Sequence, residues 1–339
     1  MKHCLVAGVI AAGMPPLSGA QPSVSMHGMV DVAATWMSSG NPRERPALRL
    51  DSGTLSASRW GIRGTEALGG DLSALFDFEA QMTADDGNGA GLALQRRSFA
   101  GLAGTWGQVQ LGRDYTPTFW SLLASDALGF GLWGNTLSYS DFFAARYSRM
   151  ITFRSSSIGG LELNVAYSAG EIPGSAQQGA TRSGVDVSAL HHFGPLMLTG
   201  AHQVNREANG RRQTVTSIGG GLAAGALEFK GGYSRSETNH PGGDATTLLN
   251  VGGTRALGTG QFLAQYIRLT QARTAGRGST VAVAYIHPLS RHTNIHFSLA
   301  LHRNNAAGNF SIHSADTSAG NLAKGADPRV LAVGVRHTF

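Results

Sequence analysis

The chain has 339 residues, 42% hydrophobic and only 14% charged, with 47 glycines, one cysteine, and 27 Lys and Arg against 21 Asp and Glu. Soluble domains carry about 25% charge and roughly 7% glycine. Halved charge with doubled glycine, beside 5 Trp, 7 Tyr and 14 Phe, excludes a disordered chain. The mean hydropathy of −0.08 and the lack of any apolar run near ~18–20 residues exclude a bundle of membrane-spanning helices, and a lone cysteine excludes a disulfide-built module.

The first element is a short basic start, Lys2-His3, then an apolar stretch from Leu5 to Met14, the break Pro15-Pro16 and the small residues Ser18-Gly19-Ala20. This layout predicts a cleaved secretory signal over residues 1–20, taking Cys4 with it and leaving 21–339 as one domain. Beyond it the basic charge is nearly all arginine, scattered without a basic run, so nucleic acid is not an expected partner.

From Val24 onward the chain alternates with period two. Val24, Met26, Val30, Val32, Ala34 and Trp36 oppose Ser25, His27, Asp31 and Thr35; Leu72, Ala74, Phe76, Phe78 and Ala80 oppose Ser73, Asp77, Glu79 and Gln81. Leu161, Leu163, Val165 and Tyr167 oppose Glu162, Asn164 and Ser168; Ile295, Phe297, Leu299 and Leu301 oppose His292, Asn294, His296, Ser298 and His302. Side chains alternate faces along a strand, so each segment has one apolar and one polar face. The segments run ~10–13 residues, longer than soluble strands and close to the length of a tilted membrane span.

The connections alternate too. Tight turns at Gly69-Gly70, Trp106-Gly107, Gly159-Gly160, Gly194-Pro195, Ala224-Gly225, Gly258–Gly260 and Pro288–Arg291 are separated by longer polar loops near 37–54, 84–92, 116–145, 170–183, 206–211, 237–245, 271–278 and 304–328. That pattern predicts an all-β fold: a 16-stranded antiparallel transmembrane β-barrel with both termini on the short-turn side. The last segment, Leu331, Val333, Val335 and Phe339 on one parity, predicts closure of the final strand on the first, because hydrocarbon tolerates no open sheet edge. Trp36, Trp106, Tyr167, Tyr233, Tyr266, Tyr285 and Phe339 sit near strand ends, as interfacial girdle residues or packing at a subunit interface.

Several stretches in order resemble the general-diffusion porins of Gram-negative outer membranes, in particular those of β-proteobacteria: Val24–Asp31, Ser58–Gly70, Arg96–Leu102, Gly107–Pro117 and Gly334–Phe339. The resemblance implies passive diffusion of small hydrophilic solutes through a water-filled pore, in a homotrimer embedded in outer-membrane lipid and lipopolysaccharide. It also implies that the long third loop folds into the lumen, and that arginines at the positions of Arg59, Arg96 and Arg146 face that loop at the constriction.

A pore is selective through its radius and the charges lining it. Arg59 and Arg63 lie opposite Trp60 and Ile62 in parity, Arg146 and Arg154 lie opposite Tyr147, Ile151 and Phe153, and Arg96 lies opposite Phe99. All five are expected inside as a basic ladder, while Arg97 and Arg149 fall on the other parity. Asp77 and Glu79 are expected inward as well. The third loop, Thr116 to Ala145, is aromatic and carries only Asp126 and Asp141 as acids. The constriction is therefore expected to be net positive and to prefer anions, since a narrow passage focuses its field. No metal or cofactor is expected: His191-His192 point to opposite faces, and His292, His296 and His302 are too widely spaced along a strand to share a metal. The sequence holds no hydrolase motif; a barrel acting as adhesin, receptor or hydrolase is the alternative.

Overall fold

The computed structural model describes residues 23–41, 43–87, 93–136, 142–170, 182–207, 210–239, 243–320 and 322–339. The expected signal segment, and Asp141, lie outside the described residues. The elements are β1 (Ser23–Ser38), β2 (Ala47–Ser52), β3 (Arg59–Gly69), β4 (Leu72–Gln81), β5 (Arg97–Gly104), β6 (Gly107–Tyr115), α1 (Pro117–Ala124), β7 (Arg146–Ser155), β8 (Leu161–Ala169) and β9 (Arg182–Phe193). There follow β10 (Leu196–Glu207), β11 (Arg212–Ala224), β12 (Leu227–Asn239), β13 (Ala245–Leu257), β14 (Gly260–Gln271), β15 (Arg277–Pro288), β16 (Thr293–Asn304) and β17 (Arg329–Thr338).

All strands join one antiparallel sheet that closes where β1 pairs with β17, from Met29 opposite Thr338 to Ser38 opposite Arg329. The other edge of β1 meets β3 from Ser23 to Met29 and β2 from Val32 to Met37. β2 and β3 are thus two halves of one stave, and the barrel has sixteen. Part of the expected loop 37–54 is therefore strand. The break has a local cause. Residues 53–58 bend inward around Asp31, whose carboxylate accepts from the Thr54 and Leu55 backbone N–H groups at 2.8 and 3.2 Å. The buried His296 ring of β16 brings Nε2 to 3.3 Å from the other oxygen of Asp31. The terminal residue closes the seam by two backbone hydrogen bonds of 3.0 Å between Phe339 and Gly28.

The molecule is inside-out relative to a soluble protein. Leu111, Ile151, Tyr167, Leu198, Ile218, Val251, Val281 and Val333 all point outward with large exposed surfaces, while Thr152, Ser188, Gln203, Ser217, Asn250, Gln265 and Thr280 are buried on the inner face. Such a continuous apolar belt is intolerable in water and required in lipid. Trp36, Trp106, Tyr167, Tyr233 and Phe339 are exposed on it. No helix among the described residues is long and apolar enough to cross a membrane; the crossing elements are strands.

The inner face is not polar everywhere. Val215, Leu248, Ile267 and Leu269 of β11, β13 and β14 pack against Phe119, Leu122, Phe130, Phe142 and Phe143, all buried in one cluster. Each such side chain contributes about 1.5–3 kcal/mol when removed from water. A second cluster joins Leu128, Leu132 and Trp133 to Ala282, Ala284, Ala300 and Val330. These two clusters fix the described parts of the third loop, 116–136 and 142–145, inside the barrel. The glycines of β11 to β13 make the close approach possible: a Cβ on Gly219 would lie 2.6 Å from Ser125 Cβ, and one on Gly252 2.8 Å from Ala127 Cβ.

Candidate functional site: the lumen constriction

The third loop starts with a short helix set by its own sequence. Thr116 is the N-cap, its hydroxyl accepting from the Phe119 N–H at 3.3 Å, and Pro117 follows at the first helical position. The wall then grips the helix start: Asp186 of β9 accepts from Thr118 N–H at 3.1 Å and from its hydroxyl at 2.7 Å. Gln203, Asn250 and Gln265 bind Ala144, Ser125 and Ala127 at 2.8 Å each. The loop is anchored from four strands.

This anchoring sets the loop opposite a charged wall built by β3 to β7. One chain of contacts runs Arg59, Glu79, Arg96, Tyr115, Arg146. Glu79 receives Arg59 Nε at 3.1 Å and Arg96 Nε at 2.6 Å. Arg96 Nη2 and Arg146 Nη2 both donate to the Tyr115 hydroxyl at 2.6 Å, and the Arg146 guanidinium lies 4.2 Å from the Tyr115 ring centroid. A second chain runs Asp77, Arg97, Asp114, Arg154, Trp120. Arg97 bonds Asp77 at 2.7 Å and Asp114 at 2.9 and 3.0 Å. Arg154 Nη2 lies 3.8 Å from Asp114, and its guanidinium stacks 4.8 Å from the Trp120 ring centroid. His27 approaches Asp77 at 3.4 Å.

The five arginines expected inside are thus placed as follows. Arg59, Arg96 and Arg146 line one cavity of about 290 Å³ together with Glu79, Tyr115, Phe119, Trp120 and Leu123. Arg154 lines a larger space of about 600 Å³ on the other side of Trp120. Arg63, opposite Asp77 in register, lines a third of about 310 Å³ nearer the short-turn end. Asp77 and Glu79 face inward and are nearly buried by their partners.

Two placements, those of Asp126 and Arg97, differ from the sequence expectation. Asp126 lies inside the barrel but turns its carboxylate into the loop, accepting from Leu128 and Thr136 N–H groups at 2.6 Å. It is 1% exposed, so it holds the loop in shape and does not face the passage. Arg97 faces inward, because Glu79 stands opposite Arg97, and Asp77 opposite Phe99, across β4 and β5. Phe99 is accordingly buried inside, and Arg96 reaches the lumen from the turn before the strand. Arg149 sits on an exposed irregularity of β7 with φ of 49°. That irregularity lets both Tyr147, bonded to Asn205, and Met150 face inward.

Sequence reasoning passed over Asp114, Tyr115, Asp186 and Asp316. The register shift between Gly112 and Asp114, at a glycine with φ of 141°, turns Asp114 inward. Asp316 arrives from the last loop, whose described residues 305–320 fold into the mouth; its carboxylate accepts from Ser58 N–H at 3.2 Å and Gln81 Nε2 at 2.9 Å. Burial pushes its carboxyl up to about 6, against the downward pull of Arg96, Arg146 and Arg59. Around the passage the six arginines 59, 63, 96, 97, 146 and 154 thus face five described carboxylates, 77, 79, 114, 162 and 316. The excess is positive; in the first chain Arg59 and Arg96 share the carboxylate of Glu79, while Arg146 is held by the Tyr115 hydroxyl and ring.

Residues 5–307 match the family described as Gram-negative porin. Outer membrane porin protein 32 of Delftia acidovorans is 28% identical over 359 aligned positions that span all of both chains. An outer membrane porin protein of Bordetella pertussis is 24% identical, covering 84% of this chain and 73% of its own. Among solved structures, the anion-selective porin from Comamonas acidovorans superposes with a TM-score of 0.85 at 24% identity, over 94% of this chain and all of that one. The trimer form of OmpT from Vibrio cholerae gives 0.72 at 14% identity, over 94% and 99%.

Proposed function

The chain belongs to the Gram-negative porin family, and on that premise we propose that its pore prefers anions. As a porin it is a β-barrel channel of the outer membrane for passive diffusion, not an enzyme. The observation that carries the preference is the set of three guanidiniums, Arg59, Arg96 and Arg146, that line one cavity with the single carboxylate of Glu79 opposite the uncharged helix α1. At a few ångströms, one unit charge is worth about 1 kcal/mol in bulk water and about 4 kcal/mol at an effective dielectric near 20. A net positive charge at this level, three guanidiniums against Glu79 and Asp316, is therefore enough for severalfold discrimination. Cations meet the same field as a barrier, and neutral hydrophilic solutes are sorted by size alone.

The resemblance to an anion-selective porin is consistent with this reading. The likeness to a protein with a trimer form supports a homotrimer, with the outward apolar belt divided between neighbouring subunits and lipid or lipopolysaccharide. Removal of residues 1–20 on export completes the proposal.

The test is single-channel recording in a planar bilayer under a KCl gradient at about 0.1 M, where the Debye length of about 10 Å leaves the charges visible. Stepwise conductance with a zero-current potential favouring chloride supports the reading. A potential favouring potassium overturns it.

A further inference from the structure

The face of α1 that turns toward the passage carries no charge. Trp120, Leu123 and Ala124 are half-buried there, while Phe119 and Leu122 are buried against the wall. Trp120 and Leu123 line both the 290 Å³ cavity, which holds Arg59, Arg96, Arg97 and Arg146, and the 600 Å³ cavity, which holds Arg154. They form a ridge that every permeant passing between those spaces meets, with guanidinium groups on the far side.

A small hydrated anion gains from only one of these two walls, because an indole and a leucine cannot replace the water it sheds. An anion with a flat apolar body gains from both. Its carboxylate finds charge-assisted donors on the arginines, and its ring covers apolar surface beside Trp120, whose indole already stacks with the Arg154 guanidinium at 4.8 Å. The same alternation of guanidinium and ring recurs at Arg146 over Tyr115, and Tyr115 stacks 4.0 Å from Phe119. Planar partners therefore continue a stack that the fold has already begun.

We propose that the constriction selects aromatic carboxylates among small anions, the carboxylate held by Arg59, Arg96 and Arg146 and the ring by Trp120 and Leu123. This rests on the anion preference proposed above and assigns it a class of substrate.

The experiment titrates benzoate, cyclohexanecarboxylate and acetate against the chloride current of the folded protein in a bilayer. Benzoate halves the current at a concentration roughly tenfold below that needed for acetate, the factor expected of about 1.4 kcal/mol of stacking. Cyclohexanecarboxylate falls between them. In Trp120→Ala the benzoate-to-acetate ratio drops to about twofold, and in Trp120→Phe most of it survives. Equal benzoate and acetate curves in the native protein overturn the inference without any variant, and so does a ratio unmoved by Trp120→Ala. Cyclohexanecarboxylate matching benzoate overturns the aromatic preference. A potassium-selective zero-current potential removes the underlying reading instead, so the two failures are distinct.

Discussion

Arg97 donates a parallel pair of hydrogen bonds to Asp114, Nε to Oδ1 at 2.9 Å and Nη2 to Oδ2 at 3.0 Å, across the β5–β6 hairpin. The fork geometry fixes both groups, and Asp114 is 1% exposed although it lines a wet lumen. The same carboxylate faces Arg154, so it neutralises part of the wall. Asp114→Ala leaves two guanidiniums without their shared partner. The expected result is a loss of about 1.5–3 kcal/mol, read as a lower unfolding midpoint in detergent, together with a stronger chloride preference. A variant as stable as the parent shows that the pair contributes nothing net.

Charge reversal at the other chain of contacts acts on selectivity directly. Arg59→Glu with Arg146→Glu changes the first chain from three cations and one anion to one cation and three anions. The zero-current potential in a KCl gradient is expected to change sign. The same variant should depend on salt: at 1 M, where the Debye length is about 3 Å, native and variant converge. Unchanged selectivity at 0.1 M places the controlling charges elsewhere.

Asp316 makes selectivity depend on pH. Its carboxyl is raised to about 6 by burial where the last loop meets Ser58 and Gln81 of the wall. Above that value it is ionised and subtracts from the positive field; below it, it is neutral. Chloride preference is therefore expected to rise as pH falls from about 7.5 to 5, and Asp316→Asn holds the low-pH value throughout. The stability sign follows from linkage. A carboxyl raised above its unfolded value of 3.8 costs stability in full above about 6, and the cost fades as pH falls through 6 toward 3.8. A preference that weakens on acidification excludes Asp316 as the group responsible.

Gly219 lets the third loop lie against the wall, since a Cβ there would stand 2.6 Å from Ser125 Cβ. Gly219→Val overfills this contact at a cost of about 1–3 kcal/mol. The C-terminal end of α1 is expected to lift, giving a larger or noisier single-channel conductance. Unaltered conductance in a folded variant shows that the loop accommodates the methyl groups without moving.

The glycines also explain where alternation blurs in the sequence. Gly219 and Gly232 stand opposite each other on β11 and β12, and both would crowd Ser125 with any side chain. Leu248 and Ile267 are apolar on the inner face because the loop, not water, covers them. A periodicity reading assumes that one face is wet. Here loop packing removes that contrast over part of the wall, and nothing local to β11–β14 announces it.

Period two, the length of the segments and the alternation of short and long connections determined the barrel, because each is a local property of strands that cross lipid. The same parity carried Arg59 and Arg63 to the inner face, on a strand that keeps its alternation from Arg59 to Ala67. Tertiary structure alone decided which charges meet. A shift of one residue sends a side chain to the opposite face, and the irregularities at Gly112 and Arg149 and the turn at Arg96 each make such a shift. Arg97 thereby joined the wall, Asp126 turned into its own loop, and Asp316 came from more than two hundred residues away to within hydrogen-bonding reach of Ser58. Loop burial and register are set by contacts between distant segments, and a single sequence fixes those only through the folded barrel.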